Sequence, residues 1–178
     1  MLCSELQKLL KVSIVGAPAV GKTTMLKLLS GNIIDKLYLP THGLDLKTVR
    51  VGDFITKIWD FAGQEGYLKT YSSDHLIGTD LLFVVTDSSP RNVLRTRELI
   101  NYAAQYVGKD CPIVAIANKQ DLKKNDGRMD PRRVEEILNI KTYGLTAIDP
   151  GQRIKLLDII RKELNKVSSR KRLKEVAL

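Results

Sequence analysis

Gly16-Ala-Pro-Ala-Val-Gly-Lys-Thr23 is the stretch that decides the fold. It fits Gly-x-x-x-x-Gly-Lys-Thr, a loop whose backbone N–H groups wrap the phosphates of a nucleotide. Lys22 is the cation that reaches the terminal phosphates, and the Thr23 hydroxyl suits Mg2+ as a ligand. The flanks agree with this. Lys11-Val-Ser-Ile-Val15 reads as a short apolar strand, and Thr24-Met-Leu-Lys-Leu-Leu29 continues as a helix. Strand, glycine loop and helix is the setting the motif requires. The residues expected to line the phosphates are Gly16, Pro18, Ala19, Val20, Gly21, Lys22, Thr23 and Thr24.

A second segment, Asn118-Lys-Gln-Asp121, can select the base. The Asp121 carboxylate can accept two hydrogen bonds, from the ring N–H and the exocyclic amine of guanine. Adenine offers no such donor pair on that edge, so this pairing favours GTP over ATP.

The rest of the chain alternates strands with helical stretches, without repeats or low-complexity linkers. Leu44–Val51 and Phe54–Asp60 read as two strands joined at the Gly52-Asp53 turn. Leu81-Leu-Phe-Val-Val85 and Ile113-Val-Ala-Ile-Ala117 are continuous apolar runs, as expected of central parallel strands. A short strand is expected around Ile140–Leu145. Helices are expected near Pro90–Val107 and Pro131–Leu138, and from about Gln152 onward. The last places Ile154, Leu157, Ile160, Leu164 and Val167 on one stripe. The fold class is therefore α/β: a doubly wound, six-stranded, mostly parallel sheet with one antiparallel hairpin strand and helices on both faces. In such sheets ligands bind at the carboxyl ends of the strands. Gly16, Asp60, Asp87 and Asn118 all fall at strand ends, so the chemistry converges on one rim.

Composition sets the outer bounds. The chain has 178 residues, 43% hydrophobic and 28% charged, enough for one well-buried core in a soluble protein. A single domain is expected over residues 1–167, followed by a basic tail at 168–178. Neither a membrane span nor a secretory leader is evident, which points to the cytoplasm. Cys3 and Cys111 have no metal or redox spacing, and a buried thiol is expected at Cys111. The net charge is +9, and residues 161–174 hold seven cations against Glu163 alone. That end is read as a solvated helix terminus, an acidic-partner site or a contact for anionic membrane. Nucleic acid is not expected there, because aromatics that would stack on bases are missing.

These motifs resemble those of the small GTPases of the Ras superfamily, over nearly the whole chain. Five match in order: residues 16–23, Pro40-Thr41, Asp60-Phe-Ala-Gly63-Gln64, Asn118-Lys-Gln-Asp121 and Thr146-Ala147. Trp59-Asp-Phe-Ala-Gly-Gln-Glu65 is close to the Rab and Ras version, whereas Ala117-Asn-Lys-Gln-Asp-Leu122 is closer to the Arf version. The resemblance implies a GTP-hydrolysing switch that uses Mg2+. Thr23, Thr41 and Asp60 would hold the metal. Gln64, Lys22 and Thr41 would form the catalytic set, with Gln64 orienting the attacking water. Gly63 and Tyr38 would meet the phosphates. Asn118, Lys119, Asp121, Thr146, Ala147 and Ile34 would surround the guanine. Segments 32–43 and 62–73 would respond to the γ-phosphate. An activating protein, an exchange factor and an effector would act on those segments. No arginine lies between Lys22 and Thr41, so slow intrinsic hydrolysis is expected.

Three departures qualify the resemblance. Pro18 and Ala19 stand where relatives often carry glycines, and Pro18 has no N–H to offer. Ile34 replaces an aromatic ring over the guanine and forfeits stacking. The N-terminus lacks a myristoylation glycine and the tail lacks a prenylation cysteine, so peripheral membrane contact would rest on the basic tail or a partner. Alternatives at this stage are a nucleotide-loaded scaffold with little turnover, a P-loop kinase and an RNA-associated GTPase. A kinase would leave residues 118–121 unexplained.

Overall fold

The computed structural model describes residues 8–31, 44–61 and 74–176. Six strands form one sheet: β1 Lys8–Gly16, β2 Leu44–Val51, β3 Phe54–Phe61, β4 Leu81–Thr86, β5 Ile113–Ala117 and β6 Thr142–Gly144. Their spatial order is β2-β3-β1-β4-β5-β6. Only β2 and β3 run antiparallel, with Val51 opposite Phe54 across the Gly52-Asp53 turn. Gly52 adopts φ +58°, as such a tight turn requires. All other pairs are parallel, with Val12 level with Ile58 on one side and Leu81 on the other.

Four principal helices cover the sheet: α1 Lys22–Ser30, α2 Pro90–Ala103, α3 Pro131–Leu138 and α4 Arg153–Val176. Because side chains alternate along a strand, each face of the sheet builds its own core. Val12, Ile14 and Phe83 pack with Met25 and Leu29 of α1 and with Leu156, Ile160 and Leu164 of α4. Val15, Leu82 and Val84 pack with Val93 and Ile100 of α2 and with Val134 and Leu138 of α3. The doubly wound architecture read from the sequence is the one observed.

Local chemistry sets the helix ends. Ser89 and Asp130 cap α2 and α3, accepting from Asn92 N (3.4 Å) and Arg133 N (3.0 Å), and a proline follows each. Gly31, at φ +71°, ends α1.

Several boundaries differ from the sequence expectation. β1 begins at Lys8, because β3 offers pairing partners along the whole hairpin arm. The expected helix at 90–107 ends at Ala103, although Val107 still buries its side chain. Ile154 is 73% exposed, not part of the inner stripe of α4. Its position lies about 120° around the helix from Ile160, and Leu156 takes the inward place. Cys111 is half-buried rather than fully buried beside the second core, with its thiol donating to the Pro112 carbonyl at 3.7 Å. The boundary expected at 167 falls inside α4, where Val167 and Ser168 are both buried. Among the described residues, no helix is long and apolar enough to cross a membrane.

Candidate nucleotide-binding site

The carboxyl ends of β1, β3, β4, β5 and β6 lie along one rim of the sheet. β1 ends at Gly16, where no side chain fits: a Cβ there would stand 2.4 Å from the Val85 carbonyl oxygen. The loop then folds back through Ala19 at φ +61° and Gly21 at φ +100° before α1 starts. These left-handed positions turn successive backbone N–H groups toward a common concavity, the geometry of an anion-binding nest. Ala19 thus holds a conformation that favours glycine. Pro18 and Ala19 are exposed, whereas Val20 is buried. Lys22, 6% exposed, donates from Nζ to the carbonyl oxygens of Gly16 and Ala17, both at 3.0 Å. Its ammonium is therefore held over the loop. Thr23 and Thr24 follow in the first turn of α1, both half-buried.

Asn118 joins this loop to the segment expected to recognise the base. It leaves β5 almost fully buried and donates from Nδ2 to the Val20 carbonyl at 2.9 Å. Its Oδ1 accepts from the Ala147 N–H at 2.9 Å. One amide therefore ties three separate segments of the rim. The fit is close: a Cβ on Gly21 would stand 2.3 Å from Asn118 Nδ2. Lys119, at φ +61°, adds a bond from Nζ to the Ala19 carbonyl at 2.8 Å. Asp121 is exposed on the short 3-10 turn Gln120–Leu122. Thr146 is half-buried beside buried Ala147, and its carbonyl accepts from Asp149 N at 3.0 Å.

Behind this segment is a polar network that the sequence did not reveal. Ser88, fully buried at φ +66°, donates to the Asn118 carbonyl at 2.7 Å. Gln120 Nε2 donates to Ser88 Oγ (2.8 Å) and to the Met129 carbonyl (3.1 Å). Asp87 pairs with Arg128 at 2.7 Å and accepts from the Ser89 hydroxyl at 2.7 Å. Burial opposes ionisation of Asp87, but hydrogen bonds from Ser89, Asn92 and Arg128 outweigh it and hold its pKa at about 2. The only sequence signal was Asp87 at a strand end. Arg128 lies 41 positions away and carries no motif.

The structure thus brings residues 16–24, 118–121 and 146–147 together. β3 carries Asp60 to the same rim, level with Ile14. The side chain of Asp60, and all of Ile34, Tyr38, Thr41, Gly63 and Gln64, lie outside the described residues. So do the segments 32–43 and 62–73. Donors suited to Mg2+ can still be judged by chemistry. Among the described residues, no group of three or more His, Cys, Asp or Glu gathers that could hold a metal. A hydroxyl at Thr23 and a carboxylate at Asp60 are hard oxygen ligands, a set that fits Mg2+ shared with ligand phosphates.

A phosphate loop between β1 and α1, tied by Asn118 to a guanine-type recognition segment, defines a P-loop GTPase of the Ras superfamily. A sequence model of the ADP-ribosylation factor family matches residues 2–163, and the chain belongs to that family. It is 30% identical over 134 residues to ADP-ribosylation factor-like protein 2 of Drosophila melanogaster, covering 74% of this chain and 70% of that protein. It is 33% identical over 137 residues to ADP-ribosylation factor-like protein 5 of Caenorhabditis elegans, covering 74% and 72%. A third relative, ADP-ribosylation factor-like protein 3 of Chlamydomonas reinhardtii, is 33% identical over 114 residues, 63% of each chain. Of the mixed subfamily signals, the Arf-like form of residues 117–122 therefore points to the family observed. The protein binds GTP and GDP and is a GTP hydrolase, as members of this family are.

Proposed function

We propose that this GTPase works as a Mg2+-dependent switch, with the γ-phosphate read by segments 32–43 and 62–73. The carrying observation is the Asn118 amide, which bonds Val20 and Ala147 at 2.9 Å each and so couples the phosphate loop to the base segment. Lys22 lies ready to move from loop carbonyls to phosphate oxygens, where its charge offsets what develops during transfer. Bound Mg2+ would neutralise phosphate charge; Thr23, Asp60 and Thr41 are the residues to hold it. Gln64 positions the attacking water. Thr41, Gly63 and Tyr38 contact the phosphates, and losing the third phosphate removes an anchor from both segments.

On the base side, Asp121 accepts from guanine, the Lys119 stem lies along the ring, and Ile34 covers it. The Ala147 N–H, which donates to Asn118 Oδ1, would also serve the guanine oxygen. An activating protein would supply the arginine that the stretch between Lys22 and Thr41 lacks, and an exchange factor and an effector would read the same segments. Asp121→Asn tests the base reading, because it replaces one of two acceptors with a donor. GTP affinity should fall at least about tenfold relative to ATP. Unchanged discrimination removes Asp121 from the base pocket.

A further inference from the structure

The outer face of α4 carries charge that the nucleotide site does not use. Leu156, Ile160, Leu164 and Val167 bury the inner face. The helical period puts Lys155, Lys162 and Lys166 within about 40° of one another on a different face, with Arg170 about 40° further round. All four are exposed. The row from Lys155 to Arg170 spans about 22 Å.

Of this row only Lys166 has an acidic partner, Glu163 at 2.8 Å. Glu163 is 3% exposed and shared between Tyr143 and Lys166, and Asp158 is spent on Arg161 at 3.2 Å. Among the described residues, Lys155, Lys162 and Arg170 have no acidic partner. Helix stability does not account for the pattern either. Cations are favoured in a last turn, but Lys155 sits in the first turn, where the helix dipole disfavours it and no acidic residue offsets it.

The side-chain types select the occupant. Protein interfaces enrich arginine, tyrosine and tryptophan and deplete lysine, whereas this row is mainly lysine without an aromatic. Single-stranded nucleic acid would want aromatic platforms for its bases. A plane of anionic headgroups needs only a straight row of flexible point charges. We propose that the lysine row of α4 docks the protein reversibly on an anionic lipid bilayer through electrostatic attraction.

Co-sedimentation of the full chain, loaded with GDP, with vesicles of mixed phosphatidylserine and phosphatidylcholine tests this. Binding should appear with the mixed vesicles, be absent with phosphatidylcholine alone, and vanish between about 0.05 M and about 0.5 M salt. Each lysine at such a surface is worth about fivefold in partitioning, so K155E/K162E/K166E should lose about a hundredfold or more. The milder K155Q/K162Q/K166Q should lose roughly a hundredfold while keeping GDP affinity, which separates docking from misfolding. Equal sedimentation with neutral vesicles, or parent-like binding by the folded glutamine variant, overturns the proposal. Retention on an immobilised acidic peptide without vesicle binding also overturns it, in favour of an acidic protein partner.

Discussion

Replacing Asn118 by alanine removes two hydrogen bonds at once and leaves both partners buried. The Val20 carbonyl and the Ala147 N–H belong to residues 0% and 2% exposed, so water reaches neither easily. An orphaned buried group costs about 1–3 kcal/mol, so the pair should cost roughly 3 kcal/mol. For a domain of this size each kcal/mol lowers Tm by about 2–4 °C, which predicts a drop of roughly 6–12 °C. Thermal melting of the nucleotide-stripped protein isolates this structural part from any lost guanine contact. A GDP titration then reads the binding part, where every 1.4 kcal/mol is about tenfold. Asn118→Asp sharpens the comparison. It keeps the acceptor for Ala147 but turns an oxygen toward the Val20 carbonyl, so it should rescue little. If Asn118→Ala melts within about 2 °C of the parent and binds GDP equally, Asn118 does not tie the rim together, and the coupling argument fails.

Three further outcomes follow from the same site. Thr23→Asn should lower affinity for Mg2+·GTP at least about tenfold relative to GDP, because the hydroxyl ligand is lost; equal losses for both nucleotides would remove Thr23 from the metal. Gln64→Leu should slow activator-stimulated phosphate release by about a hundredfold or more while leaving GTP binding unchanged; full turnover in the variant excludes Gln64 from positioning water. Asp87 predicts an acid limb. Its folded pKa of about 2 lies below the unfolded value near 4, so its stabilisation is complete above about pH 4. That contribution, about 2 kcal/mol, is lost as pH falls through about 2, and Asp87→Asn should flatten this part of the curve in acid-denaturation experiments.

The sheet was legible because its signals are periodic or motif-bound. Central strands such as Leu81–Thr86 are apolar on both faces, and the glycine loop fixes what precedes and follows it. Segments 16–23 and 118–121 were legible as a candidate site for the same reason: few sequences satisfy both spacings. Helix registers were harder. Ile154 fits an apolar stripe by residue type, but packing chose Leu156, two positions on, and left Ile154 in water. Of the network of Ser88, Gln120, Asp87 and Arg128, only Asp87 at its strand end left a sequence signal, because the members come from three separated loops that only the fold brings together. Left-handed Ser88 is equally silent: nothing about a serine announces positive φ, and buried hydrogen bonds to Asn118 and Gln120 impose it.

Calorimetric titration of the nucleotide-stripped protein with GTP and then with ATP, both in Mg2+, tests the central claim most directly. Two hydrogen bonds to Asp121 that adenine cannot make should separate the affinities by a factor of about a thousand or more, with GTP the tighter ligand. Comparable binding of ATP would contradict the reading of residues 118–121 as a guanine site and, with it, the account of this rim.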